Sequence, residues 1–147
     1  MRRVALVIGA VLFAGCAKKE APPPAEVPAP PSIDLVALAG TWATQTTAEG
    51  SDSVLVSGTI TATADPAGWT ISLPGRDTVP MTVTVSGDSL LTSMGPFESV
   101  LRPGVQVTTT GVLRLVDGKL TGPMQAHYVT TGADSVARLW TTATRMP

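Results

Sequence analysis

The most regular alternation of hydrophobic and polar residues in this chain lies between Thr78 and Ser86. Apolar side chains occupy every second position there, at Val79, Met81, Val83 and Val85. Polar residues fill most of the positions between them, so the pattern predicts a β-strand with one buried face. Pro80 falls on the polar face. Because proline has no N–H to donate to a neighbouring strand, we expect a sheet edge or a β-bulge at this position.

Turn-forming residues divide the chain from Trp42 onward into eight segments of this kind. Glycine, proline and aspartate cluster between the segments, where positive φ angles or side chain–backbone turns are needed. The predicted strands are residues 42–47, 53–64, 69–73, 78–86, 89–95, 105–116, 119–128 and 135–145. Before them, residues 32–38 are expected to form one helical turn with Ser32 as its N-cap.

Short strands joined in series by tight turns predict an all-β fold with an antiparallel up-and-down meander. Closing the meander into a small barrel of about eight strands removes its unpaired edges, and we expect this barrel to span residues 35–147. A β-sandwich of two sheets is the alternative. An eight-stranded barrel is just wide enough to be filled by its own side chains or to hold one small ligand.

The first fifteen residues are expected to form a secretory signal peptide. Arg2 and Arg3 give a basic start, and the apolar run that follows, residues 4–14, is shorter than the ~20 residues of a membrane-spanning helix. The segment Leu12-Phe13-Ala14-Gly15-Cys16 resembles the lipobox of bacterial lipoproteins, in which the cysteine thiol receives diacylglycerol before cleavage. The resemblance implies that Cys16 is lipidated and that a lipid anchor on Cys16 attaches the protein to the membrane.

Residues 16–34 are expected to tether the barrel to that anchor. Residues 17–31 hold six of the thirteen prolines, a composition typical of an extended polyproline spacer. Ala17 after the cysteine resembles the sorting pattern of outer-membrane lipoproteins. In a Gram-negative cell this resemblance implies an outer-membrane protein that faces the periplasm.

The start of the first strand, Gly40-Thr41-Trp42, resembles the G-x-W signature of the calycins, which include lipocalins, fatty-acid-binding proteins and avidins. In these families the tryptophan closes one end of the barrel, and an arginine of the last strand packs across it. The resemblance therefore implies structural, barrel-closing roles for Trp42 and for Arg145. An indole buries a large apolar area and its π face attracts a guanidinium, so the pairing is physically reasonable.

Composition argues against several kinds of chemistry. The net charge of -1 offers no basic surface for nucleic acid. Cys16 is the only cysteine and His127 the only histidine, and His127 falls on the polar side of the seventh strand with no metal ligands at suitable spacing. The chain also has no G-x-S-x-G nucleophile motif. We therefore expect no metal, no cofactor, no catalytic residues and no enzymatic activity.

The residues from Gly95 to Gly104 break the alternation and form the best candidate for contact with a ligand or partner. They place Phe97, Glu98 and Arg102 in a connection that either caps the barrel or serves as a lid or contact loop. Two mid-strand cations, Arg114 and Arg138, are further candidates. They would suit an anionic head group if they faced inward, although an outward position is expected for a charge.

Two functions are consistent with these features. In the first, the barrel of a membrane-anchored envelope lipoprotein binds a small apolar or amphipathic ligand. In the second, the interior is filled and the barrel acts as an interaction or structural module for another envelope protein. The aromatic content of 4% is low for a cavity that holds a ligand, which favours the second.

We expect the substitution Cys16→Ser to release the protein from the membrane fraction. Each buried methylene of an acyl chain contributes about 0.8 kcal/mol, so two or three chains on Cys16 hold the protein firmly and their loss abolishes anchoring. Fractionation by ultracentrifugation followed by immunoblotting measures the distribution. Ser32→Ala, near the end of the same tether, is the control and should stay in the pellet. Retention in the pellet of Cys16→Ser protein from which residues 1–15 have been cleaved contradicts lipidation.

Overall fold

The computed structural model describes residues 32–130 and 132–147. The predictions for the signal peptide, Cys16 and most of the tether lie outside these residues. One short helix precedes eight strands, and a 3₁₀ turn, Ala133–Ser135, lies before the last strand. The elements are α1 (Leu35–Leu38), β1 (Gly40–Ala48), β2 (Val54–Ala62), β3 (Trp69–Ser72), β4 (Val79–Ser86), β5 (Ser89–Glu98), β6 (Gln106–Val116), β7 (Lys119–Tyr128) and β8 (Val136–Arg145).

The eight strands form one closed antiparallel barrel in chain order. Each strand pairs with its successor, and β1 pairs with β8 from Trp42 opposite Arg145 to Ala48 opposite Leu139. The predicted small, lipocalin-like up-and-down barrel is therefore confirmed, and the alternative β-sandwich is wrong. Because β1 and β8 pair with each other, the sheet has no unpaired edge strand.

The two ends of the barrel differ in their packing. We call the end where β1 begins and β8 ends the plugged end, and the opposite end the lid end. The largest fully buried side chains lie in the half nearer the plugged end; they are Trp42, Trp69, Ile60, Leu90, Leu113 and Leu120. These side chains belong to one continuous hydrophobic core.

Trp42 and Arg145 make the contact that seals the plugged end. Trp42 is 1% exposed, and its Nε1 donates to the carbonyl oxygen of Leu38 at 2.9 Å. The guanidinium carbon of Arg145 lies 4.7 Å from the centre of the Trp42 ring. Arg145 also donates to the carbonyl oxygens of Ala39, at 3.0 Å, and Ala37. One arginine thus ties the last strand, the tryptophan and the C-terminal end of α1 together.

Gly40 is required by the same arrangement. Its φ angle of 138° lies in the region that favours glycine, and a Cβ at this position would lie 3.3 Å from Nη1 of Arg145. The glycine of the G-x-W segment therefore allows the chain to turn from α1 into β1 beneath the guanidinium.

One local prediction is wrong, and another is met in part. The N-cap of α1 is Asp34 and not Ser32, because Asp34 directly precedes the helix and its Oδ1 accepts from the backbone N–H of Val36 at 2.9 Å. Pro80 meets its expectation in part: β4 is not an edge strand, but Pro80 pairs only with Thr70 of β3 and has no partner on the β5 side. It is tolerated because the pairing with β5 begins one residue later, at Met81 opposite Met94.

We expect Arg145→Ala to lower the free energy of unfolding by about 1–2 kcal/mol, since it removes one cation–π contact and hydrogen bonds to two carbonyl groups. Urea unfolding monitored by circular dichroism measures the change. Arg114→Ala is the matched control on the outer wall and should change the stability by less than about 0.5 kcal/mol. Equal effects of the two substitutions would mean that Arg145 does not hold the plugged end together.

Candidate functional site

The interior beneath the lid end contains a cavity of about 70 Å³. Its lining is mainly apolar and includes three flexible methionines, Met81, Met94 and Met124. Sites for small molecules have volumes of ~300–1,000 Å³, and an apolar cavity that holds benzene has ~150 Å³. The cavity is therefore smaller than any common ligand of a barrel protein would need.

A seven-residue connection between β5 and β6, residues 99–105, covers the cavity; we call it the lid segment. Buried Ser99 organises it, because its Oγ accepts from the backbone N–H groups of Leu101 and Arg102, each at 3.1 Å. The backbone N–H of Ser99 donates to the carbonyl oxygen of Val105 at 2.8 Å. Together with Phe97 at the end of β5, Val100 and Leu101 line the cavity from above.

Glu98 fastens one side of the lid segment. Its Oε2 lies 3.0 Å from Nη1 of Arg76, and its Oε1 accepts from the backbone N–H of Gly104 at 2.9 Å. The hydrogen bond from Gly104 and the positive charge of Arg76 lower the pKa of Glu98 below its ordinary value. Arg76 also donates to the carbonyl oxygen of Ser99 at 3.0 Å, so it connects the lid segment to the β3–β4 turn.

Arg102 fastens the other side. Its guanidinium carbon lies 4.1 Å from the centre of the Tyr128 ring, and its Nη1 donates to the carbonyl oxygen of Asp134 at 2.8 Å. Tyr128 lines the cavity, so the cation lies at the rim of the site and does not enter it. The three candidates Phe97, Glu98 and Arg102 thus come together at the lid end, where they cover the cavity.

The other sequence-derived candidates lie elsewhere. Arg114 is on the outer wall, where its Nε donates to Oγ of Ser89 at 3.0 Å. Arg138 and His127 are also exposed on outward-facing positions of β8 and β7. Neither arginine lines the cavity.

Two residues of the site were missed by the sequence analysis. Arg76 and Tyr128 belong to a turn and to the end of a strand that are distant from Glu98 and Arg102 in sequence. The residues around them carry no motif, so only the closed barrel brings them to the lid segment.

Threonine hydroxyl groups form most of the polar part of the cavity lining. Oγ1 of Thr46 and Oγ1 of Thr141 are 2.9 Å apart and share a hydrogen bond. Thr109 is 7% exposed, and its Oγ1 has no hydrogen-bond partner within the part of the chain that the structure describes. A buried hydroxyl without a partner loses its hydrogen bonds to water and gains none in the protein. Thr109 therefore destabilises the barrel relative to an apolar residue of the same shape.

Among residues 32–130 and 132–147, the structure contains no group of three or more His, Cys, Asp or Glu residues that could hold a metal ion. Over the same ranges no helix has both the length and the apolar character needed to cross a membrane.

We expect Thr109→Val to raise the free energy of unfolding by about 1 kcal/mol, because it removes the unpartnered hydroxyl and keeps the side-chain shape. Thr141→Val is the matched control in the same cavity. It should lower the stability by about 1 kcal/mol, since Thr46 then loses its partner. Urea unfolding measures both changes. A loss of stability in Thr109→Val would mean that its hydroxyl has a partner.

Comparisons with protein-family models, with curated proteins and with solved structures found no match for this chain. The relation to the calycins is thus a resemblance carried by Gly40, Trp42, Arg145 and the barrel itself.

Proposed function

We propose that the protein is a lipid-anchored protein of the cell envelope whose lipocalin-like barrel is filled by its own side chains and acts as an interaction module. The observation that supports this proposal is the volume of the interior cavity, about 70 Å³, which is several times smaller than a usual small-molecule site. A barrel without room for a ligand inside has its outer wall and its lid end available for binding.

The lid segment supports the same proposal. It is attached on one side through Glu98 and Arg76, and on the other through Arg102 and Tyr128. The Glu98–Arg76 ion pair is partly exposed and therefore weak by itself, and Arg102 adds a cation–π contact with Tyr128, while Ser99 and Phe97 add buried contacts between them. The combination keeps the lid end closed.

The place where the chain enters the barrel fits a tethered module. Ile33 donates its backbone N–H to the carbonyl oxygen of Gly87 at 3.0 Å, in the β4–β5 turn at the plugged end. A tether that runs from Cys16 to this point attaches the plugged end to the membrane. The lid end and the outer wall are then accessible to other envelope components.

A second function, uptake of a small apolar ligand, is favoured by the composition of the cavity lining. Methionine side chains are flexible and rearrange readily around a guest molecule, and three of them surround the cavity. The unpartnered hydroxyl of Thr109 can donate a hydrogen bond to a polar head group or accept one from it. For this function the lid segment must open and the methionines must move.

Binding of a simple apolar probe distinguishes the two functions. We expect neither benzene nor dodecanoate to change the melting temperature of the full Cys16→Ser chain, which is handled without detergent. A ligand at ~100 times its dissociation constant would stabilise the protein by ~2.7 kcal/mol, which is a shift of several degrees in a domain of this size. Differential scanning calorimetry measures the shift.

The cavity-filling substitution Ala126→Leu is the matched control, because Ala126 is buried and lines the cavity. If dodecanoate raises the melting temperature by several degrees and Ala126→Leu abolishes the rise, the barrel binds ligands inside and the filled-barrel proposal is wrong. If neither benzene nor dodecanoate changes the melting temperature of either protein, the result supports the proposal.

A further inference from the structure

Trp140 differs from the other two tryptophans because it lies on the outside of the barrel. Trp42 and Trp69 are fully buried, whereas Trp140 is 42% exposed near the middle of β8. Isolated exposed hydrophobic residues are common on protein surfaces, so exposure alone does not indicate a binding site. The surroundings of Trp140 do.

The indole of Trp140 is held in a fixed orientation. Its Nε1 donates to Oγ1 of Thr121 at 2.9 Å, and Oγ1 of Thr121 lies 3.2 Å from Oγ1 of Thr142. Pro123 is its register partner on β7, and Thr47 is its partner on β1. Because the N–H edge of the ring is already bonded, the remaining exposed surface of the side chain is carbon.

Trp140 lines an open hollow of about 490 Å³ beside the β1–β2 turn, which we call the Trp140 hollow. The other lining side chains offer mostly hydrogen-bonding groups: hydroxyls, one amide and one carboxylate. They are Gln45, Thr47, Ser51, Asp52, Val54 and Thr142.

The charges of the hollow restrict the class of ligand. Asp52 is the only charged side chain among the described residues that line it, so a phosphate, a sulfate or a nucleic acid would be repelled and would find no cation. Arg138 precedes Trp140 by two residues on the same face of β8, but it does not line the hollow. An apolar peptide side chain would find only Val54 and the indole to pack against.

A neutral sugar ring fits each of these features. One face of a pyranose carries C–H groups that pack on an aromatic ring, while its hydroxyl groups point outward and both donate and accept hydrogen bonds. The fixed indole of Trp140 supplies the aromatic ring, and a carboxylate such as that of Asp52 can accept from two neighbouring hydroxyls.

We infer that the Trp140 hollow binds a neutral pyranose of a glycan chain. The inference rests on the proposed function of the barrel as an interaction module and names the chemical class of its partner. Binding takes place on the outer wall and does not require the lid segment to open.

The test is titration of the full chain carrying Cys16→Ser with three neutral oligosaccharides: cellohexaose, maltohexaose and the hexamer of β-1,4-linked N-acetylglucosamine. Isothermal calorimetry measures affinity, and tryptophan fluorescence reports on Trp140, the most exposed of the three indoles. We expect at least one hexamer to bind and to shield Trp140 from acrylamide quenching. We expect Trp140→Ala to weaken this binding about tenfold, and Trp140→Phe to restore part of it.

Two further variants make the result specific. Asp52→Asn, at an exposed turn position, should weaken binding several-fold without affecting the fold. Leu91→Ala, a 42% exposed residue on the outer wall of β5, is the control and should leave binding unchanged. Circular dichroism of Trp140→Ala checks that the barrel is intact.

The inference is overturned if none of the three hexamers binds, if Trp140→Ala binds as tightly as the parent protein, or if a sulfated oligosaccharide binds more tightly than every neutral one. These results are independent of the dodecanoate experiment. A filled barrel that binds no sugar refutes only the glycan site, whereas uptake of dodecanoate refutes the filled-barrel proposal itself.

Discussion

The pairing of β1 with β8 is the constraint on which the rest of the structure depends. Its register places Trp42 opposite Arg145. Because residues along a strand face alternately inward and outward, this register decides which side chains point into the barrel. A shift of one residue would move Trp42 to the outer wall and separate it from Leu38. The cation–π contact and the hydrogen bonds of Arg145 favour the correct register at the point where the sheet closes.

Much of the fold could be predicted because its signals are local. The alternation from Val79 to Val85 and the turn at Asp117-Gly118, where both residues have positive φ angles, depend only on adjacent residues. The N-cap error is local, since Asp34 lies two residues from Ser32, and the other differences arise where a distant partner decides the outcome. Pro80 is accommodated because β5 does not pair with it, and the irregular residues after Gly95 include the end of β5, which pairs with β6 beyond a bulge.

The candidate site was predictable only in part, for a related physical reason. The sequence grouped Phe97, Glu98 and Arg102 because they lie together in one irregular stretch, but their partners come from other strands. The volume of the cavity depends on how side chains from all eight strands interdigitate, and no single segment encodes it. Trp140 was missed because Leu139 and Trp140 are both apolar, so the alternation does not indicate which of them faces inward.

Inward-facing and outward-facing residues alternate along each strand of the barrel and have different roles. In β8, Leu139 and Thr141 face inward and complete the core, while Trp140 faces outward between them. A change at an inward position alters packing and costs stability, whereas an outward position can be replaced without disturbing the core. A large aromatic ring on the outer wall therefore adds nothing to the packing of the core. Because its N–H group is bonded to Thr121 and its carbon surface faces a hollow lined by hydroxyl groups, recognition of a ligand explains its position better than stability does.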